Sequence, residues 1–125
     1  MTHVLIVALG GAIGASLRHL TNMLTLRWFG SGFPWGTFAV NIIGSFLMGV
    51  FIELLVRKLE GSQEVRLFIA TGIFGGFTTF SAFSLDTVVM WERGNAMDAV
   101  GYAVASVLLS VAALYSGLAA IRAVT

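Results

Sequence analysis

Neutral hydrogen-bonding side chains recur at helical spacing within two strongly apolar segments of the sequence. In each segment they stand four residues apart, and the two sets are Thr37, Asn41 and Ser45, and Tyr102, Ser106 and Ser110. Residues four apart share one face of an α-helix, so each set forms a polar stripe. Such stripes either join neighbouring helices by hydrogen bonds or line a polar path, and Thr37 alone is also a possible helix N-cap.

Charged side chains are scarce within the same segments. Arg18 stands well inside an apolar run, whereas Glu53 and Asp86 stand toward the ends of theirs. Cation transporters and proton relays usually hold a carboxylate within the membrane. Neutral donors without such a carboxylate favour a path for an anion or a neutral molecule. Arg18 either creates an electropositive vestibule or snorkels to the interface.

The segment TGIFGGFTTFSAFS, residues 71–84, mixes glycine and hydroxyl residues with apolar ones. Gly-Gly followed by Thr-Thr is typical of a helix end followed by a new N-cap, which predicts a broken helix; a glycine-packed kink is the alternative. Carbonyls freed at a break can hold a cation. Phe80 and Phe83 share one face of the restarted helix, where their electropositive ring edges could meet an anion, although phenylalanine usually serves apolar packing.

The composition excludes several classes of protein. Hydrophobic residues make up 58% of the 125 residues and charged residues only 10%, against about 25% charged in soluble domains. This excludes a soluble domain, a disordered chain and a nucleic-acid binder. The chain has no cysteine and only two histidines, and it offers no Ser/His/Asp or paired-carboxylate constellation. An enzyme is therefore not expected.

Four apolar stretches predict an all-α membrane protein with one domain, residues 1–125. The expected transmembrane helices cover about residues 3–26, 37–55, 67–91 and 99–121, and the third is expected to break mid-membrane. A helix rises about 1.5 Å per residue, so stretches of this length cross a bilayer. Tryptophans near the span ends suit the interfacial belt. Gly10 and Gly14 have the spacing of a close-packing motif.

The positive charges are nearly balanced between the two sides of the membrane. Four spans place both termini on one side, with four basic residues there against three on the other: Arg57, Lys58, Arg66 and Arg122 against Arg18, Arg27 and Arg93. The positive-inside rule therefore hardly fixes the orientation. Either weak signals orient the chain, or it inserts both ways and pairs antiparallel. A second copy would also cover polar groups that a thin bundle exposes to lipid.

Three motifs together resemble the Fluc/CrcB family of fluoride channels. They are GGAIGASLR at residues 10–18, GTFAVNIIGSF at 36–46 and GIFGGFTTFSAFS at 72–84. The third motif is highly specific, and length, span count and charge balance agree along the whole chain. The resemblance implies an antiparallel, dual-topology homodimer in the cell inner (cytoplasmic) membrane. It also implies passive F⁻ export that lowers intracellular fluoride toxicity.

The resemblance also implies roles for individual residues. Phe80 and Phe83 would be the pore phenylalanines, flanked by Thr79, with Asn41 as the pore amide. Arg18 would lie at the vestibule. The backbone carbonyls of Gly75 and Thr78 would hold a structural Na⁺ that is not transported. The remaining fluoride path would be lined by Thr37, Tyr102, Ser106 and Ser110.

Two other functions suit a chain of this size. A small dual-topology multidrug or cation exporter has the same number of spans but needs a membrane-embedded carboxylate. A non-transporting membrane assembly subunit would explain the packing glycines but not two neutral donor stripes.

Overall fold

The computed structural model describes residues 1–58 and 61–125. These residues form four helices long and apolar enough to cross a membrane, as the sequence predicts: Thr2–Phe29, Trp35–Arg57, Gln63–Glu92 and Ala96–Val124. The first two are α1 and α2. The third, which we call the third span, comprises α3 (Gln63–Arg66), a π-helical segment (Leu67–Phe74), α4 (Gly75–Phe77) and α5 (Phe80–Glu92). The last is α6 (Ala96–Val124).

Local sequence signals set the ends of these helices. Gly30 closes α1 with a φ of 77°, in the left-handed region that glycine adopts without steric cost. Pro34 immediately precedes α2, and its fixed φ suits the entry to a helix. Trp28, Trp35 and Trp91 are exposed at the ends of α1, α2 and α5 that the connections bring to one side. Exposed tryptophans in that position are typical of a membrane interface.

The helices pack in two pairs, α1 against the third span and α2 against α6. Gly14 of α1 lies so close to the third span that an added Cβ would overlap the Ile73 carbonyl oxygen and approach the Phe77 nitrogen to 2.8 Å. Gly10 makes the same kind of contact one turn earlier, against Phe68 and Gly72. The absence of side chains at these positions allows the two backbones to touch.

The outside of the bundle is apolar. Leucine, valine and isoleucine side chains are exposed along α1 and α6, and Phe80 at the start of α5 is 76% exposed. Such a surface would be unfavourable in water but suits a hydrocarbon environment, where helices satisfy their own backbone groups. The chain is a multi-pass membrane protein.

Candidate ion path

A cavity of about 310 Å³ lies between α2, α6 and the start of α5. Six of the residues that the sequence assigns to a fluoride path line it: Asn41, Thr79, Phe80, Phe83, Ser106 and Ser110. They come from three helices that are far apart in the sequence. The packing of α2 on α6 turns the two polar stripes toward each other, and α5 closes one end.

Two serines of the α6 stripe present their hydroxyls to this cavity. Ser106 is 5% exposed, and within residues 1–58 and 61–125 the Oγ atoms of Ser106 and Ser110 are buried without a hydrogen-bond partner. Serine in a helix often donates to the carbonyl one turn earlier, as Ser116 does to Ala112 at 2.8 Å. Unpaired buried hydroxyls are costly, so the two serines are available to a guest in the cavity.

The α2 stripe is arranged differently. The Asn41 side chain reaches the third span and contacts the backbone of Thr79 at two points. The Thr79 N–H donates to Asn41 Oδ1 at 2.7 Å, and Asn41 Nδ2 donates to the Thr79 carbonyl at 3.0 Å. Ser45, one turn further along α2, also lines the cavity. It belongs to the predicted stripe, but the resemblance assigned it no role.

Helical backbone is interrupted at Thr78 and Thr79. Thr78 has a ψ of 159°, and Thr79 has φ −154° and ψ 120°, so both are extended. Thr79 caps α5, because its Oγ1 accepts from the Ala82 N–H at 3.1 Å. These residues lie near the middle of the 30-residue third span.

The interruption redirects two N–H groups from their helical acceptors. In a continuous helix the N–H of Thr79 would bond the Gly75 carbonyl, and that of Ala82 would bond the Thr78 carbonyl. Instead these groups donate to Asn41 Oδ1 and to Thr79 Oγ1. The carbonyls that lose these two donors are those of Gly75 and Thr78. Hard, neutral carbonyl oxygens fit an alkali cation.

Two aromatic rings border the cavity and lead away from it. The centroids of Phe80 and Phe83 are 5.4 Å apart, and those of Phe83 and Tyr102 are 5.3 Å apart. Tyr102 is only 2% exposed. Its hydroxyl donates to Asp86 Oδ2 at 3.1 Å, and Asp86 stands toward the end of an apolar run of the sequence.

Thr37 lies outside the cavity, in a second cleft of about 520 Å³. Asp86 and Asn22 line this cleft too. Tyr102 therefore joins the two spaces, since it packs on Phe83 of the first and bonds Asp86 of the second. The predicted path residues thus fall into two groups with Tyr102 between them.

Comparison with known proteins decides the family. Residues 5–118 match the model of the family described as CrcB-like protein, Camphor Resistance (CrcB). The chain belongs to the CrcB-like family. It is 61% identical over 118 residues to a fluoride-specific ion channel FluC of Mesorhizobium japonicum, with 94% of each chain covered. A FluC of Chelativorans sp. is 56% identical over the same share of both chains. A FluC of Rhizobium leguminosarum bv. trifolii is 54% identical over 98% of each chain. These names describe ion channels, which are not enzymes.

Arg18 occupies a different place in this CrcB-like chain from the other predicted residues. Its Nε donates to the Gly76 carbonyl at 3.0 Å, so its guanidinium lies against α4 just before the interruption. It is half-buried. The Gly76 carbonyl thus accepts from a side chain, next to the carbonyls of Gly75 and Thr78, whose helical donors are bonded elsewhere.

One ionic cluster of the CrcB-like chain was not anticipated from the sequence. Glu53, 6% exposed, accepts from Arg57 Nε at 2.7 Å and from Arg122 Nε at 3.1 Å. A buried carboxylate needs such partners. The cluster joins the ends of α2 and α6, away from the cavity. Within the described ranges, no group of three or more histidine, cysteine or acidic residues is placed to hold a metal ion.

Proposed function

We propose that this chain is a fluoride-selective channel that exports F⁻ passively across the cytoplasmic inner membrane and so lowers intracellular fluoride toxicity. The observation that carries the proposal is a pair of hydroxyls, those of Ser106 and Ser110, that have no partner among the described residues and lie beside the rings of Phe80 and Phe83 in one cavity. The names of the FluC relatives support the choice of ion.

Fluoride is small and firmly hydrated, so a membrane path must replace its water with donors. A hydrogen bond to a charged group is worth roughly 1.5–3 kcal/mol. The two serine hydroxyls can each donate one such bond, and the ring edges add weaker contacts. The residues that line the cavity are neutral, so neither a carboxylate repels the ion nor a fixed cation traps it. From there the path continues by Phe83 and Tyr102 to Thr37, with Thr79 beside the phenylalanines.

The active unit is an antiparallel homodimer of dual topology with the interruption of the third span at mid-membrane. The basic residues, four on one side and three on the other, barely favour one orientation. Phe80 lines the cavity yet is 76% exposed in the single chain. A second, oppositely oriented copy would cover that ring and complete the wall.

A structural Na⁺, held and not transported, fits the carbonyls of Gly75 and Thr78. Both have lost their helical donors to Asn41 and Thr79. The Arg18 Nε donates to the carbonyl of Gly76, the residue after Gly75. Its positive charge would raise the local anion concentration in a vestibule.

Flux from proteoliposomes tests the function. Vesicles loaded with potassium fluoride and given valinomycin should release F⁻ quickly, whereas vesicles loaded with potassium chloride should release little Cl⁻. Proton-coupled release of a cationic drug instead would favour the exporter, for which Asp86 in the second cleft is the available carboxylate. No flux of either kind would favour an assembly subunit.

Topology has its own test, because the chain contains no cysteine of its own. Lys58→Cys and Asn95→Cys place single thiols in connections on opposite sides of the bundle. In intact cells, a membrane-impermeant maleimide should label about half of each variant. Complete labelling of one variant and none of the other would contradict dual topology.

A further inference from the structure

Asn41 is the only residue of the predicted α2 stripe whose side chain bonds the third span in the described part of the chain. Its oxygen accepts from the Thr79 N–H at 2.7 Å, and its nitrogen donates to the Thr79 carbonyl at 3.0 Å. The orientation of the carboxamide is thereby fixed, because an N–H needs the oxygen and a carbonyl needs the nitrogen.

This pairing reproduces the exchange of hydrogen bonds between two residues of an antiparallel sheet. It gives the extended Thr79 backbone the partners that helix would otherwise supply. A backbone interruption in a membrane protein persists only where such partners exist. Asn41 supplies them from a helix that is 38 residues away in sequence.

The contrast with α6 separates two kinds of polar residue in one cavity. Ser106 and Ser110 have no partner for their hydroxyls within the described ranges, whereas both polar atoms of the Asn41 carboxamide are engaged. Only the second hydrogen on Nδ2 remains. The Asn41 carboxamide is thus held in place by Thr79 with one N–H left over, whereas no described protein group holds the serine hydroxyls.

We propose that Asn41 is a positioning residue that holds the interruption of the third span open. By taking the Thr79 N–H, it keeps the Gly75 carbonyl released. By fixing Thr79, it sets where α5 starts and so where Phe80 points. The bonding of Asn41 to Thr79 does not depend on the proposed channel function. Only its consequence for the passage of an ion rests on that function.

Amide hydrogen exchange resolved by NMR, on the full chain in lipid nanodiscs, tests the geometry directly. Asn41→Leu keeps the side-chain volume but removes both bonds, so we expect the Thr79 amide to exchange about tenfold faster or more. The Thr78 amide, which donates to Phe74 at 3.0 Å, is the internal reference and should change little. Ser45→Ala is the matched control: it removes a polar group from the same helix face and the same cavity but should leave Thr79 protected.

Measurements on a second variant and on the unmodified protein keep the test decisive if Asn41→Leu misfolds. Asn41→Asp keeps an oxygen for the Thr79 N–H, so Thr79 should stay protected to within a fewfold of the unmodified protein. In the unmodified protein, Thr79 should be protected whether or not fluoride is present. Fast exchange at Thr79 in the unmodified protein, or unchanged protection in Asn41→Leu, would overturn the inference.

Loss of Thr79 protection in Asn41→Leu together with rescue in Asn41→Asp is the pattern that a side chain used only for packing would not give. If the chain proves not to conduct fluoride at all, the exchange result still decides what Asn41 does.

Discussion

Replacing Ser106 by alanine should lower fluoride flux while leaving the fold as stable as before or more so. The hydroxyl is buried, with the residue 5% exposed, and its oxygen has no partner in the described ranges. A side chain that served only packing would behave in the opposite way, because its loss would cost stability and spare transport.

The magnitudes follow from the two states of the hydroxyl. In the protein without ion, removing an unsatisfied buried group relieves a penalty of roughly 1–3 kcal/mol, partly offset by the small void that the oxygen leaves. We expect a net change between zero and about 1 kcal/mol of stabilisation. With the anion in place, the lost bond is worth roughly 1.5–3 kcal/mol, which corresponds to a decrease in occupancy of about 10- to 150-fold.

Initial fluoride efflux from proteoliposomes measures the effect of the lost hydroxyl on transport. Unfolding in mixed micelles measures its effect on stability. Ser116→Ala is the matched control on the same helix, since Ser116 is exposed and bonded to its own helix at Ala112; it should change neither quantity appreciably. Normal efflux from Ser106→Ala together with a loss of stability above 1 kcal/mol would refute the assignment of this hydroxyl to the ion path.

Three further predictions concern other parts of the site. Phe80→Ile and Phe83→Ile keep apolar bulk but remove the ring edges, so both should assemble as dimers, on size-exclusion chromatography, yet lose most fluoride efflux; near-normal efflux in both would reduce the rings to packing. Gly14→Ala should destabilise the chain by about 1–3 kcal/mol or more, because its Cβ would meet backbone of the third span, whereas Gly11→Ala, with open space around it, should be nearly neutral in the same unfolding assay. Replacing Na⁺ by N-methylglucamine should lower the thermal stability of the dimer as well as efflux, and equal stability in both salts would exclude a structural Na⁺.

The sequence predicts the four long apolar helices well, and the structure confirms them. In a bilayer the backbone N–H and carbonyl groups must bond one another within the helix. A long apolar stretch therefore nearly suffices to predict a membrane-spanning helix. The π-helical segment Leu67–Phe74 could not be predicted, because it contains no proline and its mostly apolar residues suit an ordinary α-helix equally well. It packs against α1, a tertiary contact that the order of residues along the chain does not reveal.

The candidate site was predictable as a set of residues but not as a set of contacts. Spacing alone places Asn41 on one face of α2 and Ser106 on one face of α6. It does not say that these faces meet, since that depends on how far one helix is shifted along the other. The bonds from Asn41 to Thr79 and from Tyr102 to Asp86 depend on such shifts, and whether these residues carry fluoride stays a prediction.

The polar groups that line the proposed path differ in whether they are already hydrogen-bonded, and this difference bears on how an ion would bind there. Where the backbone is interrupted, Asn41 bonds both the N–H and the carbonyl of Thr79, which holds that wall of the cavity in place. Where the ion would pass, the hydroxyls of Ser106 and Ser110 have no partner in the part of the chain that the structure describes. A rigid wall spares the donors any reorganisation when an anion arrives, and unpaired donors lose no existing bond by turning to it. Weak neutral contacts of this kind let an ion enter and also leave. A lysine or arginine at either serine would favour entry but retain the ion.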